Sequence, residues 1–261
     1  MELTLLSFDL LSFLFLIAVL AGFIDTLAGG GGLITMPALL LSGVPPLAAL
    51  GTNKLQGSMG TATATYMVIK KKKVSWGDVK YLMLSAFIGS AIGSIAVQFV
   101  NTEVLSFVIP VVLVLITVYF MLSPLLSKIQ KTQKTHLAYK KYRNFIVPTI
   151  GGYDGMFGPG TGSFFALAGV ACRGYGLILS TAFAKPLNFS TNVASLIVFI
   201  IAGQIAWFAG VVMMLGQVIG AWLGAHCLFK INPSYLRGIV ILMCIGMLLK
   251  YCHSMGWLNF V

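Results

Sequence analysis

Charge is what this sequence has least of. Only 9 per cent of its 261 residues are Asp, Glu, Lys or Arg, and six of them are acidic. A soluble domain carries roughly 25 per cent charged residues. With 58 per cent hydrophobic residues, this composition excludes a soluble domain and a disordered chain. The net charge of +11 does not point to nucleic acid, because of where the charges sit. Eleven of the 17 Lys and Arg fall in two short segments, Lys70–Lys80 and Lys128–Arg143. Cysteine is also scarce: the four, Cys172, Cys227, Cys244 and Cys252, form no C-x-x-C pair. That excludes a disulfide framework or a zinc site and leaves them as small apolar filler. No basic region precedes the first apolar run, so it reads as a membrane helix and not a cleaved leader. Period-two alternation is missing as well, which excludes a membrane β-barrel.

What is there is a series of apolar runs, at about 5–27, 47–69, 80–100, 104–122, 144–157, 177–202, 205–228 and 235–254. Bilayer crossing takes about 20 residues. Two shorter runs, 33–41 and 163–171, each follow a glycine-rich stretch and read as half-helices. The fold class is an all-α polytopic membrane protein.

The chain also repeats itself. Asp25 with Gly29-Gly30-Gly31-Gly32 resembles Asp154 with Gly158-Pro159-Gly160-Thr161-Gly162, at an offset of 129. Each stretch leads to a membrane lysine with carboxamides nearby, Lys54 with Asn53 and Gln56, and Lys185 with Asn188 and Asn192, at an offset of 131. Gly89/Gly93 and Gly216/Gly220 recur at an offset of 127. The reading is two repeats, 1–122 and 144–261, joined by a basic linker at 123–143. Each has about four spanning helices and one short re-entrant half-helix. The positive-inside rule puts both Lys-rich loops in the cytoplasm and the N-terminus outside. The halves then have opposite orientation, an inverted repeat of the kind transporters use.

Two features point to chemistry. An unpaired ammonium in the hydrocarbon costs from a few to more than ten kcal/mol. Lys54 and Lys185 at matched positions therefore either form an anion site near a pseudo-twofold axis, or snorkel to an interface, or are ion-paired with Asp25 or Asp154. The glycine breaks free backbone N–H groups at the starts of half-helices, where anions bind. Gly30, Gly31 and Gly32, with Gly160 and Gly162, are the candidate N–H donors; Thr161 and Ser163 add hydroxyls, and Asn53, Gln56, Asn188 and Asn192 add amides. Asp25 and Asp154 have three open roles: binding a coupling proton, capping a helix, or neutralising the lysines. Gly89/Gly93 and Gly216/Gly220/Gly224 have small-x-x-x-small spacing, which serves close helix packing. His226, alone in an apolar run, reads as a packed residue.

These same residues carry a family resemblance. Asp25…Gly29-Gly30-Gly31-Gly32-Leu33 with Pro37, then Gly51-Thr52-Asn53-Lys54, are similar to the first signature of the sulfite exporter TauE/SafE family. Tyr153-Asp154-Gly155-Met156-Phe157-Gly158-Pro159-Gly160-Thr161-Gly162-Ser163-Phe164 and Ala184-Lys185-Pro186-Leu187-Asn188 resemble the second, in particular its YfcA-like branch. The resemblance covers about residues 10–250. It implies a bacterial inner-membrane, multi-pass transporter of sulfite, sulfonates or related small organic anions. Pro186 departs from the pattern of the first half, where Leu55 follows the lysine.

The expectation is a secondary transporter with a small anion as substrate and the bilayer as solvent. No enzyme activity, metal, cofactor or nucleic acid is implied. Coupling to a proton or sodium is open. A passive anion channel is the rival. An intramembrane aspartyl protease, using Asp25 and Asp154 as a proton-sharing pair, is a remote one.

Overall fold

Helix boundaries follow local signals. In the computed structural model, which describes residues 7–126, 136–228, 230 and 233–254, the Ser7 hydroxyl caps helix α1 (Phe8–Ala28) by accepting from the Leu10 amide. Gly29 ends α1 in the left-handed region, φ 77°, with its N–H on the Asp25 carbonyl. A short helix α2 (Gly32–Leu41) follows, then α3 (Pro46–Lys70), with proline at its first position where no N–H is needed. Ser75 and Asp78 form a reciprocal cap at the start of α4 (Trp76–Gln98). Helix α5 (Thr102–Leu126) closes the first half.

The second half runs in the same order. Helix α6 (His136–Lys141) passes through a π-helical turn, Tyr142–Ile146, into α7 (Val147–Met156). Then come α8 (Thr161–Arg173), α9 (Leu177–Ile201), α10 (Trp207–Cys227) and α11 (Pro233–Ser254). Apolar runs and helices agree closely, and no strand occurs among the described residues. Helices α5 and α6 extend into the segment expected as linker; residues 127–135 lie outside the described residues.

Among the described residues five helices are long and apolar enough to cross a bilayer: α1, α4, α5, α9 and α10. This is a multi-pass membrane protein. Helix α3 matches them in length but buries Thr52, Asn53, Lys54, Gln56 and Ser58 in the interior. The polarity of a soluble protein is thus reversed. Ile88, Ile92 and Ile95 on α4, and Leu215, Ile219 and Trp222 on α10, face outward. Lipid tails take the place of water there, so an apolar surface costs nothing.

Packing contacts recur between the halves. Helix α1 lies on α10 as α7 lies on α4; α3 contacts α10 as α9 contacts α4; and α3 meets α9 at the centre. Both outer crossings depend on glycine. A Cβ on Gly216 would sit 2.6 Å from the Phe15 carbonyl oxygen, and one on Gly224 2.7 Å from that of Phe23. Gly89 and Gly93 approach the Pro148 and Gly152 carbonyls of α7 in the same way. The repeated spacing seen in the sequence is the backbone contact that holds α1 and α7 in place.

Candidate functional site

Helices α1 and α7 each stop at mid-chain breaks, and these breaks meet. Gly29 packs against Gly162 so closely that a Cβ on either would strike the other's backbone. The Ser163 hydroxyl donates to the Ala28 carbonyl across the junction. Gly158 and Gly160, at φ 95° and 82°, turn the chain from α7 into α8, as Gly29 turns α1 into α2. Glycine is needed because a Cβ disfavours these left-handed angles. The Tyr153 hydroxyl donates to the Pro159 carbonyl at 2.6 Å and its ring stands edge-on to Phe164, bracing the second break.

The lysines close the breaks crosswise. Lys54, on α3, donates to the backbone carbonyl of Asp154 and lies 2.9 Å from its carboxylate. Lys185, on α9, donates to the carbonyl of Asp25, with the carboxylate 3.9 Å away. Each ammonium therefore satisfies a carbonyl near the negative end of a helix dipole and a carboxylate together. Each lysine belongs to one half and its aspartate to the other. Burial is nearly complete, at 1 per cent exposure for Lys54 and 0 per cent for Lys185. Charges so deep are tolerated only when paired.

The two pairs differ. The Asp154 Oδ1 atom accepts from both Lys54 and the Thr161 hydroxyl (2.7 Å), while Oδ2 is buried without a partner. Asp25 takes the Gly31 N–H on Oδ1 at 3.1 Å and keeps its side chain 19 per cent exposed. The sequence hint of inequivalence, Pro186 after Lys185, thus has a structural parallel in the looser second pair.

Between the breaks and the crossing of α3 with α9 lies a cavity of about 30 Å³, room for roughly two water molecules. Of the residues expected from sequence, it gathers Asp25, Gly31, Gly32, Asn53, Asp154, Gly160, Thr161, Gly162, Asn188 and Asn192. Gly30, Gln56, Ser163, Lys54 and Lys185 are not among its lining residues. Gln56 instead donates to the Asn53 Oδ1 atom at 3.0 Å, which the Thr35 hydroxyl also reaches at 2.7 Å. With its oxygen engaged twice, Asn53 has its NH₂ left as donor. Asn192 donates to the Asn188 oxygen at 3.5 Å, leaving the Asn188 NH₂ as donor in the same way.

Three lining residues were not expected, Gly57, Thr61 and Gln217; a further one, Gly158, belongs to the glycine break read in the sequence. Gly57 and Thr61 follow Asn53 at four-residue steps, so they continue its face of α3. Gln217 is a carboxamide in the middle of an apolar helix, and that isolation was the signal available for it. Among the described residues no three His, Cys, Asp or Glu side chains gather as metal ligands would. With both carboxylates paired to lysine, the lining offers neutral N–H donors over a balanced set of charges. A small oxyanion bound there adds its own negative charge, which the N–H dipoles can stabilise.

A family model described as sulfite exporter TauE/SafE matches residues 14–251. A protein of Haemophilus influenzae named probable membrane transporter protein is 39 per cent identical over 98 per cent of this chain and 99 per cent of its own. YfcA of Escherichia coli, also named a probable membrane transporter protein, is 39 per cent identical over 94 per cent of this chain and 90 per cent of its own. YunE of Bacillus subtilis, with a similar name, is 24 per cent identical over 92 and 95 per cent. No solved structure matches the chain.

Proposed function

Since the chain belongs to the sulfite exporter TauE/SafE family, a family of membrane transporters, we propose that it is a secondary transporter of a small sulfur-containing or organic anion. The observation that carries this reading is the cavity at the meeting of two broken helices, lined by both halves. Irregular backbone at membrane depth is tolerated where it lines a cavity, and paired breaks in two halves mark transporter binding sites. The anion is held by the N–H groups of Gly32 and Gly162 and by the carboxamides of Asn53 and Asn188, while the Gly31 N–H and the Thr161 hydroxyl hold the carboxylates of Asp25 and Asp154. Gly30, Gly160 and Ser163 shape the breaks, and Gln56 and Asn192 orient the two asparagines. Lys54 and Lys185 supply positive potential through their pairs with Asp154 and Asp25. The halves form an inverted repeat in a bacterial inner membrane, both Lys-rich loops are cytoplasmic, and transport proceeds by movement of one half against the other.

Two other readings have less support. In a protease the aspartates would share a proton with each other, whereas here their partners are lysines. A passive channel would need a continuous path across the membrane, whereas paired helix breaks in two halves are the pattern of transporter binding sites. The test is binding of sulfite and ethanesulfonate to the purified protein, read as ligand-induced thermal stabilisation. Asn53→Ala and Asn188→Ala should each weaken binding roughly tenfold, the worth of a hydrogen bond to a charged group. Unchanged affinity in both variants would remove this site.

A further inference from the structure

Gln217 is held in place as if for a ligand that is not part of the protein. It is 5 per cent exposed, lines the cavity, and its carboxamide makes no hydrogen bond to any described residue. Space for it comes from two other helices. A Cβ on Gly22 of α1 would lie 2.8 Å from its side-chain oxygen, and one on Gly60 of α3 would lie 2.7 Å from it. The protein thus keeps room, at two glycines, for a polar group that faces the cavity. The matched position in the other half is Ser90, which is satisfied internally: its hydroxyl donates to the Thr191 carbonyl at 2.8 Å and sits 2.7 Å from the Ser195 hydroxyl. The pseudo-symmetry of the cavity is broken at this pair of positions.

Position along the helices gives the chemical meaning. Asn53 and Asn188 stand beside the helix breaks, near Gly158 and Gly162. Gly57 and Asn192 face each other one turn further along α3 and α9, and Gly60 with Gln217 lies just beyond. The carboxamide is therefore about two turns from the breaks, about 10 Å. A single tetrahedral oxyanion at the breaks cannot also reach it.

We propose that Gln217 is a substrate-selectivity residue, and that the preferred substrate is an organic oxyanion with a second polar group two or three atoms from the first. The anionic end lies at the glycine breaks. The second group, a hydroxyl or carbonyl, exchanges hydrogen bonds with Gln217 and Asn192. Entry of such an anion requires α3, α9 and α10 to part. The proposal rests on the reading of the cavity as the anion site.

The test compares 2-hydroxyethanesulfonate with ethanesulfonate, which share a carbon skeleton and differ in the hydroxyl. Affinities are measured on the full-length purified protein by thermal stabilisation and by competition. The native protein should prefer the hydroxylated anion by roughly tenfold. Gln217→Met, unbranched and of similar length, should lower that ratio to near one while ethanesulfonate still binds. Should the Met variant not fold, Gln217→Asn keeps the carboxamide and shortens its reach, and should lower the ratio as well. An equal affinity of the native protein for the two anions, or an unchanged ratio in the variants, overturns the role of Gln217 while leaving the anion site intact. Binding of neither anion by the native protein overturns the site and this inference together.

Discussion

At the scale of single residues, the account turns on four buried charges and how unequally they are paired. Removing one partner of a buried pair strands the other and costs about 3–5 kcal/mol. Asp154→Asn should show a cost of that size in thermal unfolding, because Asp154 holds Lys54 at 2.9 Å with almost no solvent contact. Asp25→Asn should cost less than Asp154→Asn, since its carboxylate is 3.9 Å from Lys185 and part-exposed, although Lys185 itself is buried. Equal losses in the two variants would contradict the inequivalence. The partnership itself is testable by a double-mutant cycle. Lys54→Met with Asp154→Leu should be less damaging than the sum of the single changes, whereas Lys54→Met with Asp25→Leu should be additive. The sequence could name all four residues, because a charge in an apolar run stands out. It could not say which aspartate each lysine takes, since pairing across the halves depends on how the two breaks abut.

Helices are the next scale, and there the spacing of small residues decides the architecture. Gly216 and Gly224 let α10 lie directly on the backbone of α1, and Gly89 and Gly93 do the same for α4 on α7. Gly216→Val would drive a side chain into the Phe15 carbonyl and Ala18, and should cost about 1–3 kcal/mol. The same change at Gly238 or Gly246, in helix α11, meets nothing within 4 Å and should leave the unfolding temperature within a degree or two. These crossings were legible in sequence because the spacing is regular and repeats. So were the two half-helices, because four consecutive glycines have no place inside a helix. Gln217, Gly57 and Thr61 were harder. The role of Gln217 depends on which face of α10 turns inward, and that apolar helix shows no polar face from which to read it, whereas Gly57 and Thr61 take part only because they continue the face of α3 that Asn53 marks. Length and hydropathy also located α3 without showing that its polar face is the wall of a cavity.

For the whole molecule, the proposal is two halves of opposite orientation moving about a shared site. Topology gives one check. Cysteine at position 75, between α3 and α4, should be labelled from the cytoplasmic side alone, and at position 202, between α9 and α10, from the outside alone. Labelling of both from one side would remove the inverted relation. The crossed lysine pairs matter here too, because each links a helix of one half to the break in the other. A change of access must loosen or re-form them. The central claim, transport by alternating access at the cavity between the breaks, is tested most directly by counterflow. Proteoliposomes loaded with unlabelled sulfite and placed in a trace of labelled sulfite should accumulate label transiently, and Asn188→Ala should lose that accumulation while remaining folded. Label that only equilibrates, with no overshoot from the trans substrate, or an overshoot unchanged in Asn188→Ala, would contradict it.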